Sequence, residues 1–282
     1  MFKINNSDKM ELKIKFFDVG HGSSVLIEND EINIIFDLGS NSENSFNPFP
    51  SLNEKLDYLI ITHPHMDHIS SLKYMYDNYE PTTLLVNQKI PNKLIDNLIS
   101  NTETEEDANI YKKYNDLNIR YIIPVPDYMN PTFPENNGGI KISSFLPQNE
   151  DIEDINYYSI STLLEYDGFK IFLMGDNTKT NLDEIKESGE FYNKINDIDV
   201  LLAPHHGHES GYDEDFVKYL NPKITIISDK KDENIMINEY KKYSRGFSVE
   251  GYSSPQKYLT TYQNGDINIK IKNNNMTISC IK

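Results

Sequence analysis

The sequence contains a single cysteine, Cys280, and no tryptophan among its 282 residues. With one cysteine the chain can form no internal disulfide bond, and it cannot build the cysteine cage that holds many structural zinc ions. Any metal ion that the chain binds must therefore be held by histidine, aspartate or glutamate side chains.

Long apolar runs are also missing. No window of 18 consecutive apolar residues occurs, and the N-terminal stretch MFKINNSDKMELKIKFF has no apolar segment behind its charges. The sequence therefore predicts neither a membrane-spanning helix nor a secretion signal, and we expect a cytoplasmic protein that makes no contact with a membrane.

Basic residues are in deficit, because 44 acidic side chains stand against 27 lysines and arginines and give a formal charge of -17. A charge of this sign repels polyanions at long range and provides no basic stripe for docking on duplex DNA. Nuclease activity is still compatible with it, since bound divalent cations can dominate the field inside a cleft. If the chain acted on nucleic acid, this charge would favour a small or single-stranded substrate, or nucleic acid presented by a protein partner.

Three strand-like segments run into loops that carry histidine or aspartate. The apolar run at 56–62 has the length and composition of a strand buried on both faces, and histidines follow it directly. The segment 161–176 predicts two strands joined at Asp167–Gly168, a strong hairpin signal, and it ends at Asp176. The stretch 199–211 is again an apolar strand that leads into histidines. Ligand sites gather at strand ends in layered α/β architectures, so these loops could converge on one site.

Six of the seven histidines fall in two short stretches, at 63–68 and 205–208. The first two donors of the earlier stretch can point to one side of a turn, and the last two can face a second point nearby. Imidazole nitrogen and carboxylate oxygen suit zinc, manganese or iron, so the stretch predicts two adjacent cation positions. Asp176 could bridge the two ions, and either His205 or His206 could supply a last ligand. The donors of the earlier stretch form the pattern H-x-H-x-D-H: His63, His65, Asp67 and His68.

This pattern resembles the motif of the metallo-β-lactamase-fold hydrolases, which it matches position by position. FFDVGHGSSVLIE at 16–28 and LLAPHHGHESG at 201–211 are similar to the opening and to the PHHG-x-x-S signature of the ComEC-like branch, the hydrolase domain of competence DNA-uptake proteins. The resemblance implies an α+β fold, the metallo-β-lactamase αββα sandwich, in which two mixed β-sheets are flanked by helices and the metals lie in a cleft at one edge.

The resemblance also implies roles for single residues. Asp67 would take part in catalysis as well as in metal binding, and Asp176 would bridge the metals. His206 would lie beside the metals and could hydrogen-bond to a leaving group or protonate it. Asp37 would support the metal ligands without binding a metal itself. The cofactors implied are two divalent metal ions, Zn²⁺ or Mn²⁺, and the ligands implied are His63, His65, Asp67, His68, Asp176 and His205.

The sequence departs from the wider superfamily in the middle of the chain. That superfamily has a further histidine ligand before the bridging aspartate, whereas no histidine occurs between His68 and His205. We therefore expect the first metal site to be one protein ligand short and to be completed by water or substrate. The ComEC-like branch carries an N-x-x-S segment there, which Asn156 and Ser159 match.

Two further residues are implied near the substrate or behind the ligands. Ser210 belongs to the PHHG-x-x-S signature. His21 stands where relatives often have glutamine, and it could either face the cleft or be an ordinary loop histidine. The sequence leaves both interpretations open.

The function implied is hydrolysis of a phosphodiester, as in a nuclease or a nucleotide phosphodiesterase, within a single domain at 1–282 that has a helical and loop insertion at about 87–138. Alternatives are hydrolysis of an ester, thioester or lactone, and a non-catalytic binding module that keeps a residual metal site. A protein partner in a bacterial multi-gene system is a further expectation. Charge on the cleft rim discriminates a nuclease from a small-molecule esterase, since a polyanion fits if the basic residues nearest the later motifs line the cleft: Lys179, Lys230, Lys231, Lys241, Lys242 and Arg245.

Overall fold

The computed structural model describes residues 10–40, 55–231 and 234–282. The predicted domain at 1–282 extends beyond these ranges: residues 1–9, with most of the charged N-terminal stretch, and residues 41–54 and 232–233 lie outside the described residues. The domain boundaries therefore stay a prediction.

Two β-sheets form the centre of the fold. The first has the strand order β13-β12-β1-β2-β3-β4-β5, and the second has the order β11-β10-β9-β8-β7-β6. Strands β3 to β5 run parallel, as do β8 to β11, and the other neighbours are antiparallel, so both sheets are mixed. In chain order the strands are β1 (Leu12–Phe16), β2 (Ser24–Glu28), β3 (Asn33–Leu38), β4 (Tyr58–Ile60), β5 (Thr83–Leu85), β6 (Lys141–Phe145), β7 (Ser161–Tyr166), β8 (Phe169–Met174), β9 (Val200–Leu202), β10 (Ile224–Ile227), β11 (Tyr258–Thr260), β12 (Asp266–Lys272) and β13 (Asn275–Ile281).

Helices cover the outer face of each sheet. Helices α1 to α4 pack on the first sheet, and α5 to α8 pack on the second. The layers therefore follow the order helix, sheet, sheet, helix, which confirms the αββα sandwich that the resemblance implied. The helices are α1 (Met66–Ile69), α2 (Leu72–Asn78), α3 (Asn92–Ser100), α4 (Glu105–Arg120), α5 (Lys179–Glu187), α6 (Glu190–Lys194), α7 (Glu214–Leu220), α8 (Ile237–Tyr243) and α9 (Thr261–Asn264).

Alternation along the strands divides the apolar side chains among three cores. In β3, Ile34 and Phe36 enter the core between the sheets, whereas Ile35 faces the helices of the first sheet. Since successive side chains of a strand point to opposite faces, one apolar run can supply two cores. The central strands β4 and β9 are buried along their whole length, as expected for parallel strands covered on both faces.

The predicted hairpin is confirmed. Strands β7 and β8 pair antiparallel, and the two residues that join them have positive φ angles, 49° at Asp167 and 86° at Gly168. Two left-handed residues match the twist of the flanking strands in a tight turn. The hairpin thus delivers the end of β8, and Asp176 just after it, to one edge of the second sheet.

The segment at 87–138 contains α3, α4 and short 3₁₀ turns. Tyr114 on α4 is fully buried in the core of the first sheet, while Tyr128 is 76% exposed. Tyr111, also on α4, borders one of the two clefts described below. Packing therefore accounts for Tyr114.

Across residues 10–40, 55–231 and 234–282, no helix has the length and apolar character needed to cross a bilayer. The cytoplasmic location expected from the sequence stays a prediction.

Candidate metal centre

The first histidine stretch leaves β4 and enters α1 within a few residues. Thr62 and His63 are completely buried just past the strand, and His65 has an extended backbone, with φ of -72° and ψ of 150°. Asp67 and His68 then lie on the single turn of α1. The apolar run forms a strand that leads directly into the histidines, as predicted, and the start of α1 separates the first pair of donors from the second.

Loops of the first sheet hold the backbone of α1. The Ser23 N–H donates to the Asp67 carbonyl oxygen over 3.1 Å. A Cβ atom at Gly39 would lie 1.6 Å from the same oxygen, so only glycine fits there. These close approaches fix the point from which the Asp67 side chain starts.

Asp176 lies at the centre of the site and is 3% exposed. Its Oδ1 is 3.1 Å from His68 Nε2 and 3.4 Å from His206 Nε2. Its Oδ2 is 3.7 Å from His63 Nε2 and 3.8 Å from His205 Nε2. Each oxygen of this carboxylate therefore faces a different set of imidazoles.

The set around Oδ1, here named the inner group, consists of Asp67, His68, Asp176 and His206, whose ligand atoms lie within 4.8 Å of one another. The Asp67 carboxylate is 3.1 Å from His206 Nε2. The far nitrogen of each imidazole is bonded elsewhere: His68 Nδ1 to Asp37 over 2.8 Å, and His206 Nδ1 to the Ser228 carbonyl over 2.7 Å. Such bonds fix the ring orientation and leave both Nε2 atoms turned toward the carboxylates.

The set around Oδ2, here named the outer group, consists of His63, His65 and Asp176. His63 Nε2 lies 3.0 Å from His65 Nδ1, and His63 Nδ1 lies 3.1 Å from the Thr62 hydroxyl. His63 is buried, whereas His65 is partly exposed and borders a cleft. The outer group therefore has one fewer residue than the inner group and opens toward solvent.

Carboxylates set the direction of the pKa shifts of both imidazoles in the inner group. Burial lowers the pKa of His68, but nearby carboxylates, Asp176 first among them, outweigh it and hold the pKa well above its usual range. Burial likewise lowers the pKa of His206, and Asp176 with the bond to Asp67 raises it to about 9. In the outer group, burial and the charge of His68 hold the pKa of His63 well below its usual range. Carboxylates that retain protons on neighbouring imidazoles can bind a cation in place of those protons.

A left-handed turn separates the two histidines that follow β9. His205 and His206 have φ angles of 49° and 51°, which are uncommon for residues other than glycine, and Gly207 follows at 76°. The His205 N–H donates to the Gly175 carbonyl over 3.1 Å, which ties the turn to the strand end before Asp176. Backbone strain of this kind clusters at functional sites.

The structure places the two histidines on different sides of Asp176, and which of them ligates a metal stays a prediction. The prediction made His205 the metal ligand and His206 a neighbour able to protonate a leaving group. In the structure His206 belongs to the inner group and has its second nitrogen on a buried carbonyl, while His205 Nδ1 lies 2.7 Å from the Ser210 hydroxyl. The left-handed turn is the cause, because it sends adjacent side chains to opposite sides of Asp176.

The residues predicted to support the site differ in their contacts. Asp37, at a bulge in β3 with φ of 59°, accepts hydrogen bonds from the Thr62 N–H and hydroxyl as well as from His68. The Ser159 hydroxyl accepts from the Asp176 N–H over 3.1 Å. Asn156 lies on the preceding 3₁₀ turn, and its Oδ1 is buried without a hydrogen-bond partner among the described residues.

His21 borders the second of the two clefts described below, together with His205 and His208. Its Nδ1 lies 2.6 Å from Asp229 Oδ1, its Nε2 lies 3.7 Å from Asp67 Oδ2, and its ring centroid is 4.5 Å from that of His206. Of the two interpretations left open by the sequence, the structure supports the first.

Three residues near the site were missed by the sequence reasoning. Thr62 contacts Asp37 and both buried histidines of the first motif, and its position directly before that motif was an available signal. Ser228 and Asp229 follow β10, so that they are a fourth instance of polar residues at a strand end. The end of that strand carries no histidine, so the pattern that marked the other three strand ends does not mark it.

Two clefts flank the centre. The first, of about 510 Å³, borders His65 and lies between α3 and α4, with Asp107 and Glu153 on its wall. The second, of about 580 Å³, borders His205 and His208. No lysine or arginine occurs among the described residues that line either cleft.

Two of the basic residues singled out in the sequence have acidic or carbonyl partners elsewhere. Lys242 Nζ lies 3.7 Å from Glu214, and Arg245 donates to the Ile198 carbonyl over 3.4 Å. None of the six basic residues lines either cleft, so neither cleft has, among its described residues, the basic lining that would favour a polyanionic substrate over a small one.

Comparison with known proteins places this geometry in context. Residues 17–228 match the family model described as the metallo-beta-lactamase superfamily. The chain is 24% identical over 291 residues to ComE operon protein 3 of Bacillus subtilis (strain 168), an alignment that covers 95% of this chain and 34% of that protein. The chain thus spans about a third of the length of that relative.

Solved structures show the same fold at low identity. Igni18, a metallo hydrolase from the hyperthermophilic archaeon Ignicoccus hospitalis, has a TM-score of 0.53 at 18% identity, with 92% of this chain and 100% of that chain covered. The metallo-beta-lactamase fold protein YhfI from Bacillus subtilis has a TM-score of 0.51 at 14% identity, with 92% and 99% covered. At these identities the likeness concerns the fold alone.

Proposed function

Because the chain belongs to the metallo-beta-lactamase superfamily, we propose that it is a metal-dependent phosphodiesterase that acts on a nucleotide or on single-stranded nucleic acid. Family membership supports the metal-dependent hydrolase, and the ComEC-like motifs, together with the likeness to ComE operon protein 3, motivate the phosphodiester. A protein partner stays a prediction.

The observation that carries the proposal is the division of ligands between the two oxygens of Asp176. Imidazole nitrogens and carboxylate oxygens, with no thiolate, are donors that suit zinc or manganese, so the residues fit the cofactors implied by the family. The inner group would hold one divalent cation, and the outer group would hold the other. Such cations supply an activated water and offset the negative charge that develops on phosphoryl oxygens.

The protein's own residues orient the site and control its access. Asp37 and the Ser228 carbonyl hold the inner imidazoles with their Nε2 atoms inward. His205, whose side chain is 24% exposed and bonded to Ser210, is placed to donate a hydrogen bond to a substrate oxygen from the cleft side. The resemblance implied a contact with the leaving group for His206, and we propose a contact with the substrate for His205 instead.

Charge favours a small or single-stranded substrate within this class. Both clefts carry carboxylates, from Asp107 and Glu153 on one side and Glu209 on the other, and neither has a cationic side chain among its described lining. A long, stiff polyanion such as duplex DNA would bring many phosphates to these walls without charge compensation. A substrate with a single phosphodiester in the site avoids that repulsion.

The test uses the purified protein, metal-free and then loaded with Mn²⁺ or Zn²⁺. The substrates are bis-p-nitrophenyl phosphate, dinucleotides, and labelled single- and double-stranded DNA and RNA. Asp67→Ala is the variant expected to be inactive. Asp215→Asn is the matched control, because it also removes one negative charge but at an exposed side chain on α7. We expect metal-dependent cleavage of the smaller and single-stranded substrates that Asp67→Ala loses and Asp215→Asn keeps. Full metal loading without turnover of any of them, but with turnover of esters, thioesters or lactones, would refute the phosphodiester assignment.

A further inference from the structure

A third set of metal-type donors lies beside the inner group. His21, His208 and Asp229, here named the lateral group, place one imidazole nitrogen each and one carboxylate oxygen within 4.8 Å of one another. They come from three different loops: the turn after β1, the turn after β9 and the end of β10. We propose that the lateral group binds a third divalent cation.

The carboxylate of this group has an unsatisfied oxygen. Asp229 is 0% exposed, and its Oδ1 accepts from the Lys230 N–H over 2.7 Å and lies 2.6 Å from His21 Nδ1. Its Oδ2 has no hydrogen-bond partner among the described residues, and His208 Nε2 stands 3.8 Å away from it. A buried carboxylate oxygen without a partner is costly, and a bound cation is the ligand that would satisfy it.

The donors indicate which ions fit. Two imidazoles and one carboxylate suit first-row divalent ions such as Zn²⁺ or Mn²⁺, whereas Mg²⁺ and Ca²⁺ prefer oxygen ligands throughout. Three protein ligands leave positions for water, and the cleft of about 580 Å³ that borders His21 and His208 provides room for it. The group is therefore an open site and not a closed structural one.

The lateral group is distinct from the inner group but adjoins it. The His21 Nε2 atom lies 3.7 Å from Asp67 Oδ2, and no residue is shared between the two groups. A cation held on the lateral side would add positive charge next to the cleft that His205 borders, where the described lining has no lysine or arginine. The inference does not depend on which ester the enzyme hydrolyses.

The test counts metal ions. Metal-free protein is loaded with Zn²⁺ or Mn²⁺, desalted, and measured by inductively coupled plasma mass spectrometry for wild type, His208→Gln, Asp229→Asn and the matched control Asp215→Asn. We expect His208→Gln and Asp229→Asn each to bind one equivalent fewer than wild type, and Asp215→Asn to bind the same number. A Co²⁺-loaded series should show the same loss in its visible absorption.

The competing explanation is that Asp229 only orients His21 through their hydrogen bond. It predicts an unchanged metal count in both variants, and that result would overturn the proposal. Circular dichroism of the metal-free proteins checks folding, and His208→Gln decides if Asp229→Asn does not fold, because the His208 side chain is 22% exposed. If the metal counts were as expected but the wild-type protein cleaved no phosphodiester, the proposed function would be refuted and the third metal site would stand.

Discussion

The inner and outer groups use the same carboxylate but differ in how their imidazoles are held. In the inner group, His68 and His206 each have a second nitrogen bonded to a buried acceptor, Asp37 or the Ser228 carbonyl. In the outer group, the second nitrogen of His63 lies 3.1 Å from the Thr62 hydroxyl, and the neighbouring His65 borders a cleft. Orientation before binding lowers the cost of binding, so the inner position should hold its cation more tightly and the outer position should exchange more readily.

The largest effect is expected where the two groups meet. Asp176→Asn removes the charge that both positions share, so we expect both cations to bind weakly. Activity should fall by more than about 100-fold, because even the loss of a group that merely supports a ligand costs roughly 10–100-fold. Metal content and kcat/KM with bis-p-nitrophenyl phosphate measure this. Two retained equivalents would show that Asp176 is not a shared ligand.

The next comparison separates the adjacent histidines. We expect His206→Gln to remove the inner cation, since its Nε2 lies in that group, and His205→Gln to keep the metal count while lowering activity by about 10-fold, the scale of a supporting contact. The same substitution at neighbouring positions makes each variant the control for the other. If His205→Gln lost the metal and His206→Gln kept it, the roles implied by the sequence would be restored.

The smallest effect concerns support of the inner group alone. Asp37→Asn keeps a residue that tolerates positive φ but replaces the acceptor of the His68 Nδ1–H. We expect metal affinity to fall by roughly 10–100-fold at the inner position, because that is the usual effect of losing a hydrogen-bonded partner of a ligating histidine. Titration against a chelator resolves the two positions. An equal loss at both would mean that Asp37 stabilises the whole site and not one imidazole.

The residues of the first motif were predictable because their relationship is local. His63, His65, Asp67 and His68 follow a buried strand and enter a helix within six residues, so spacing alone separates them into two pairs. The hairpin that delivers Asp176 was equally local, since Asp167–Gly168 specifies its turn. The fold class followed from the resemblance of these motifs and is confirmed by the sheet order.

Contacts between distant loops were not predictable in this way. His206 contacts Asp67, which is 139 positions away, and His21 contacts Asp229, which is 208 positions away. Together these contacts require β10 to lie beside β9 and the loops of the two sheets to meet at the same side of the sandwich. The spacing of residues within one loop does not indicate which strand will lie beside that loop in the fold. The lateral group could not be predicted for the same reason, because its three residues come from three different loops.

The sequence by itself determined the set of donors: imidazoles and carboxylates at strand ends, without thiolates, in a chain of strong negative charge. Only the tertiary structure decided how these donors divide among binding positions. The left-handed turn at His205 and His206 is held by the Gly175 carbonyl of another strand end, and it directs one imidazole to each oxygen of Asp176. Composition and spacing fix which ligands exist, whereas the direction of each side chain depends on backbone contacts that form only when the sheets pack.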